Sequence, residues 1–341
     1  MGTLRQRLNI AVFGAGAWGT ALAQAFSAAH EVCLWGREAD NIETMRRERE
    51  NKLFLPGIAL RPELTFSADF DQTAEGADLH LVATPLAGLR ETARALRKRP
   101  QRAPTAPLLW ACKGLEAGSG KLPHEILAEE MGQDTACGML TGPSFAAEVA
   151  HGLPTAITLA SNDLNFATDW VRKLHQPRLR LYANDDLIGC EAGGALKNVI
   201  AIAAGVADGM GYGLNARAAI ITRGLAEIAR LAAALGGRPE TLMGLAGMGD
   251  LILTCTGDLS RNRQVGLALA AGKTLADILA ELGHVAEGVS TAREAAQLSR
   301  RLGVVMPICT GVDALLHGSI SAADAVEQLL SRDPKQEWGH Y

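Results

Sequence analysis

The feature that most narrows the fold of this chain lies near its start. Residues 8–13, LNIAVF, are apolar and partly β-branched, Gly14-Ala15-Gly16-Ala17-Trp18-Gly19 follows at once, and residues 20–29 are alanine-rich and read as a helix. A strand, a glycine turn and a helix in that order make the dinucleotide-binding fingerprint, whereas GxGxxG without this context is only a glycine-rich turn. Gly14 permits the tight turn, Gly16 lets the backbone meet a pyrophosphate, and Gly19 lets helix and strand pack closely, with the amides of the helix start facing the anion. The next strand, residues 31–35, ends in Trp35-Gly36-Arg37-Glu38, where the adenosine ribose of a dinucleotide is met. An NAD-selective site places an acid at this point. Here Arg37 is placed to pair with a 2′-phosphate and Glu38 falls one residue later, so NADP is the favoured cofactor and NAD stays open. The plainer reading of Arg37 is a solvated surface charge.

Further strands are expected at residues 79–83, 108–111, 156–160 and 179–182, with Thr84-Pro85 and Cys112-Lys113-Gly114 at the C-terminal ends of the first two. Ligands of open α/β sheets gather at those ends, which makes Lys113 a site candidate, although a loop lysine is by default only a surface charge. Residues 139–148, MLTGPSFAAE, set Gly142-Pro143-Ser144 before a helix-like stretch. Ser144 either caps that helix or, with nearby N–H groups, holds an anion. RRERE at residues 46–50 reads as a solvated face, and Arg97-Lys98-Arg99 before Pro100 as a charged helix end. After about residue 185 the chain is rich in alanine and leucine at helical spacing, and no strand is legible. The fold class is therefore α/β, a Rossmann-type dinucleotide-binding domain over residues 1–186 followed by an all-helical substrate domain over residues 187–341.

At the start of that second domain, residues 191–205 read EAGGALKNVIAIAAG. The spacing is that of a buried helix, yet Gly193 and Gly194 each cost such a helix about 1 kcal/mol relative to alanine, so something approaches this backbone closely. Gly193 and Lys197 share a face. Among alanines and valines Lys197 loses hydration, which draws its pKa toward the range useful for acid–base work; the bland alternative is a lysine that snorkels to solvent. Bulkier residues at Gly193 or Gly194 are expected to block a site more than they disturb folding. Further on, residues 247–262, GMGDLILTCTGDLSRN, interrupt the helices, with Asp250 and Thr254 four residues apart. Ser260-Arg261-Asn262 then precedes a helix-like run, and an arginine with an amide at a helix start suits a phosphate.

Composition sets the outer bounds. With 341 residues, 48% of them hydrophobic and 21% charged, and a formal net charge of -4, the chain reads as globular, and its charge gives no reason to invoke nucleic acid or an anionic membrane. Six scattered cysteines without CxxC or metal-ligand spacing imply reduced thiols in a cytosol-like compartment and no metal site. Arg5 and Arg7 before an apolar run imitate a signal peptide, but the glycine spacing inside that run has no use in one. No run of about 18 apolar residues occurs, so no membrane span is expected.

GAGAWG, LWGR at the second strand, WACKGLE, GPSFAAE, GGALKNVIAIAAG, GLAGMGDLILTCTGDLSRNR and VAEG, in this order and spacing over nearly the whole chain, resemble the bacterial NAD(P)-dependent glycerol-3-phosphate dehydrogenase family. The resemblance implies reduction of dihydroxyacetone phosphate to sn-glycerol 3-phosphate for phospholipid synthesis, in the cytoplasm and as a homodimer. It puts the family's catalytic lysine at Lys197, as general acid in reduction and base in the reverse, with Asp250 beside it. Substrate contacts would fall on Lys113, Gly142, Ser144, Lys197, Asp250, Ser260, Arg261 and Asn262. Cofactor contacts would fall on Gly14, Gly16, Ala17, Trp18, Gly19, Arg37, Lys113, Ala146, Arg261, Val285 and Glu287. Position 17 departs from the pattern, carrying alanine where many members have serine, so one side-chain contact to the cofactor phosphates is replaced by backbone N–H groups. Two other readings stand beside this one. A β-hydroxyacid dehydrogenase can share both domains and a linking-helix lysine, but takes a carboxylate; a non-catalytic NADPH-binding regulator would need no Lys197, Asp250 and Arg261 together.

Overall fold

The computed structural model of the protein describes residues 7–99, 106–282 and 286–331. Within them eight strands form one sheet: β1 Asn9–Phe13, β2 Glu31–Trp35, β3 Thr65–Ser67, β4 Leu79–Val82, β5 Leu108–Trp110, β6 Cys137–Thr141, β7 Thr155–Ala160 and β8 Leu179–Asn184. Helices α1 Ala17–Phe26, α2 Ala39–Glu48, α3 Phe70–Ala74, α4 Leu89–Lys98, α5 Pro123–Met131, α6 Ala146–Ala150 and α7 Leu164–Leu174 lie between them in sequence. Strands β1, β4 and β5 are buried almost throughout, as sheets covered on both faces require.

The strand order is β3-β2-β1-β4-β5-β6-β7-β8, parallel except where β7 meets β6. The chain therefore works outward from β1 to β3 and returns to β4, and the order reverses between the C-terminal ends of β1 and β4. That reversal is the crevice where such sheets bind nucleotides. Two strands were not expected from the sequence. Strand β3 spans three residues. Strand β6 holds Gly138, a poor strand former, but a side chain there would sit 2.7 Å from the Ala160 carbonyl of β7, so close strand packing requires the glycine.

Beyond β8 the described residues contain no strand. Helices α8 Leu187–Gly209, α9 Gly213–Ala234, α10 Asp250–Thr256, α11 Arg261–Ala270, α12 Leu275–Leu282, α13 Glu287–Leu302, α14 Pro307–Leu316 and α15 Ala322–Leu330 follow, with a short 3₁₀ turn, Pro239–Met243, and a π turn, Leu245–Gly249. The segment 247–262 is only in part a break between helices: its first residues belong to a π turn running straight into α10, and residues 257–260 separate α10 from α11. Asp186 caps α8 by accepting the Gly189 amide at 2.9 Å. Helix α8 is apolar and long enough by composition to cross a membrane, yet 94% of that apolar window is buried inside the fold, where α9, α10, α11 and α13 pack around it. It is the axis of the helical half.

Candidate active site

The glycine turn after β1 is built as its spacing demands. Gly14 has a φ of +119°, which side chains rarely adopt, and a Cβ there would lie 2.7 Å from the Thr84 nitrogen that follows β4. A Cβ at Gly19 would lie 1.9 Å from the Gly14 carbonyl, so helix and turn touch backbone to backbone. Gly16, by contrast, has nothing within 4 Å in that direction, and no side chain caps the start of α1. The open space beside uncapped amides is what a pyrophosphate needs, so the residues present fit a dinucleotide. Ala17 opens α1, Trp18 packs half-buried beside it, and Ala146 of α6 joins the same apolar cluster. Arg37 follows β2, strongly exposed and 3.4 Å from Glu38. Sequence reasoning missed Asn51: fully buried, its amide donates to the Ala15 carbonyl at 2.9 Å and to Thr20 Oγ1 at 2.8 Å, fixing the turn.

At the ends of β5 and β6 the two halves meet. Lys197 Nζ lies 2.5 Å from Asp250 Oδ1, and Lys113 Nζ lies 2.6 Å from Asp250 Oδ2. Asp250 is 1% exposed and Lys197 8%. Burial pulls the Lys197 pKa down to about 8; the Asp250 charge opposes the fall and Lys113 adds to it. Burial would raise the Asp250 carboxyl, but the two ammonium groups outweigh it and hold the group below the usual carboxylate range. Thr254 Oγ1 donates to the Asp250 carbonyl at 2.6 Å, so the pair four residues apart shares one helical turn.

The glycines explain how the lysine reaches its carboxylate. A Cβ at Gly193 would lie 2.5 Å from the Ala246 carbonyl, so α8 and the π turn are in backbone contact one turn before Lys197 meets Asp250. A Cβ at Gly247 would likewise lie 2.2 Å from the Leu242 carbonyl. What approaches Gly193 is therefore the protein's own backbone, and the expectation that a side chain there chiefly blocks the site is corrected. Gly194 faces the site side, near Thr141 Oγ1 and the Lys113 stem.

The remaining candidates flank this cluster. Ser260 caps α11, accepting the Arg263 amide at 3.3 Å; Arg261 is exposed, its guanidinium bonded to no side chain among the described residues. Asn262 Oδ1 accepts the Gly288 amide at 3.1 Å, and Asn198, beside Lys197, is 3.5 Å from Glu287. Burial raises the Glu287 pKa against the charges of Arg261, Lys113 and Lys197. Asn198 was not legible as a site residue, since an asparagine inside an apolar helix carries no motif. Ser144 is not a helix cap: α6 starts after Phe145, and the Ser144 hydroxyl donates to the Gly142 carbonyl at 3.0 Å. Gly142 has a φ of +135°, and Pro143 lies against Gly249, directly before Asp250. Val285 lies outside the described residues.

The structure thus sorts the candidates into two groups. Gly14, Gly16, Ala17, Trp18 and Gly19 lie on the turn after β1 and the start of α1, with Arg37 just past the neighbouring strand β2 and Ala146 in the apolar cluster on α1. Lys113, Lys197 and Asp250 gather where the sheet meets α8, with Gly142, Ser144, Ser260, Arg261, Asn262 and Glu287 on the segments around them.

Two family models match the chain, NAD-dependent glycerol-3-phosphate dehydrogenase N-terminus over residues 9–167 and its C-terminus over residues 186–327. A glycerol-3-phosphate dehydrogenase [NAD(P)+] of Aromatoleum aromaticum is 68% identical over 331 residues, 97% of this chain and 100% of the relative. One of Dechloromonas aromatica is 60% identical over 97% of this chain and 99% of its own length. The crystal structure of glycerol-3-phosphate dehydrogenase from Coxiella burnetii superposes with a TM-score of 0.89 at 40% identity, covering 96% of this chain and 99% of that one.

Proposed function

We infer the roles of individual residues from one premise: the chain belongs to the NAD(P)-dependent glycerol-3-phosphate dehydrogenase family and interconverts dihydroxyacetone phosphate and sn-glycerol 3-phosphate. The observation that carries the assignment is the buried Asp250 carboxylate shared by Lys197 and Lys113 at the junction of sheet and helices. When bound, the nicotinamide supplies or takes up the hydride at the central carbon of the substrate.

Lys197 donates a proton to the carbonyl oxygen during reduction and takes it back during oxidation. Asp250 aims the ammonium and keeps it charged in a site that would otherwise favour the neutral amine. Lys113, from the end of β5, adds a second positive charge toward the oxygen on which negative charge develops. Arg261 and Asn262 at the start of α11 hold the phosphate dianion, with Ser260 shaping the turn. Gly142 and Ser144 close the substrate side from the end of β6. Gly14, Gly16, Ala17, Trp18, Gly19 and Ala146 seat the dinucleotide, Arg37 faces its ribose and favours NADP, and Val285 and Glu287 with Lys113 and Arg261 complete the nicotinamide end.

We place the domain division between residues 186 and 187, where Asp186 caps α8. Glycerol 3-phosphate formation for phospholipid synthesis, a homodimeric state and a cytoplasmic location complete the reading, the last supported by six cysteines that are all free. NADPH absorbance followed with dihydroxyacetone phosphate is the direct test. Lys197→Ala is expected to abolish turnover with NADPH affinity nearly intact, and retention of more than a few per cent of activity would overturn its role.

A further inference from the structure

Helix α11 presents the phosphate-binding pair and helix α8 presents the proton donor, so the axial register between the two helices fixes the distance from phosphate to carbonyl. The seam between them brings backbone against backbone. A Cβ at Gly205 would lie 2.1 Å from the Arg263 carbonyl, and one at Gly266 would lie 2.1 Å from the Ile202 carbonyl. Further along, a Cβ at Gly209 would lie 2.6 Å from the Ala270 side chain. Glycine against backbone permits close approach through non-directional packing, so a polar pair across the seam adds the directional contact.

One directional contact crosses this seam. Asp208, at the end of α8, receives Arg263 through Nε at 2.9 Å and Nη2 at 2.8 Å, both on Oδ2. Its Oδ1 lies 3.3 Å from Nε of Arg217 on α9, and Arg263 Nη1 reaches Asp258 at 3.0 Å on the loop before α11. Both partners of the central pair are largely buried, at 13% and 10% side-chain exposure. Asp208 lies about three turns beyond Lys197 on the same face of α8. Arg263 is two residues from Arg261, in the first turn of α11.

We propose that the Asp208–Arg263 pair is a register lock, with Arg263 a positioning residue that sets the phosphate site at the correct axial distance from Lys197. The proposal rests on the placement of the phosphate at Arg261 and Asn262. A slip of one residue along a helix is about 1.5 Å, and misplacement of about 1 Å in a reacting geometry costs on the order of a hundredfold in rate. The lock therefore tunes the enzyme to the short spacing between phosphate and carbonyl in a three-carbon substrate.

The test compares Arg263→Gln, Arg263→Lys, Asp208→Asn, the double variant and Arg261→Ala in the full chain. Measurements are KM for dihydroxyacetone phosphate, kcat, NADPH affinity by fluorescence and Tm. Arg263→Gln is expected to lower kcat/KM for dihydroxyacetone phosphate on the order of a hundredfold while NADPH affinity stays within about twofold, with Arg263→Lys recovering part of the loss. The Asp208→Asn/Arg263→Gln double variant is expected to be no worse than the Arg263→Gln single variant. A lower Tm with kcat/KM unchanged, alongside a raised KM in Arg261→Ala, would reduce Arg263 to a fold-stabilising residue and overturn the lock alone. Additive losses in the double variant would dissolve the pair. An unchanged KM in Arg261→Ala would remove the phosphate placement, and the lock with it.

Discussion

Lys197 carries its proton less firmly than a surface lysine because burial strips water from the ammonium, drawing its pKa down to about 8 against the pull of Asp250. The sign of the pH dependence follows. In the role proposed for Lys197, reduction needs the protonated lysine, so kcat/KM for dihydroxyacetone phosphate should be level below about 8 and fall up to tenfold per pH unit above it; oxidation should rise over the same interval. A reduction profile flat to about pH 9.5 would exclude Lys197 as the donor. Replacing Asp250 by Asn removes the charge that holds the proton on, so the falling limb should move to lower pH. Arg37 makes a separate prediction: Arg37→Asp should raise KM for NADPH at least tenfold more than KM for NADH, given about 1.5–3 kcal/mol for a charge-assisted phosphate contact, and equal changes would take the ribose role away. At this scale the sequence was legible wherever chemistry was concentrated. A lysine in an apolar helix and an arginine beside an amide at a helix start declare themselves. Asn51 and Asn198 do not, because a buried amide acquires its meaning from partners that only the fold brings near.

Elements were legible in proportion to their length and burial. Strand β2 lies where its β-branched and aromatic run puts it, and α1 follows the glycine turn, starting three residues earlier than its alanine content suggested. Strand β3 and strand β6 were hidden, the first by brevity and the second by Gly138, whose reason is the neighbouring Ala160 carbonyl and not any local preference. The glycines of α8 follow the same logic and can be tested. Gly193→Ala gains about 1 kcal/mol of helix propensity but sets a Cβ 2.5 Å from a backbone carbonyl of the π turn, an overpacking that costs about 1–3 kcal/mol. Net destabilisation is expected, visible as a lower Tm and accompanied by a loss of turnover as Lys197 and Asp250 move apart. Gly194→Ala meets only side-chain atoms at 3.2 Å and beyond, which can give way. Its Tm should hold or rise, and equal Tm losses in both variants would show that the Ala246 contact has no special weight.

At the scale of the molecule, α8 is the member that both halves share. It leaves the sheet directly after β8, carries Lys197 to the site, and also sends Glu191 back into the nucleotide-binding half. There Glu191, 1% exposed, accepts the His124 backbone amide at 2.8 Å through Oε1 and the His124 ring through Oε2, at the start of α5. Burial raises the pKa of the Glu191 carboxyl, the His124 ring and backbone amide oppose the rise, and loss of this acceptor would leave donors unpaired between the two halves. Burial lowers the His124 pKa, but the hydrogen bond and charge of Glu191 outweigh it, so the folded-state value is raised above 6.5. A raised folded-state pKa means that the stabilisation is fully present below the unfolded value, about 6.5, and is lost as pH rises through the folded one. Glu191→Gln should therefore lower the free energy of unfolding by about 1–3 kcal/mol at about pH 6, with a smaller difference at about pH 9. Urea denaturation at the two pH values measures it. A difference that grows with pH would mean that the His124 ring is neutral in the folded protein, and that Glu191 joins the two halves through the α5 backbone amide alone.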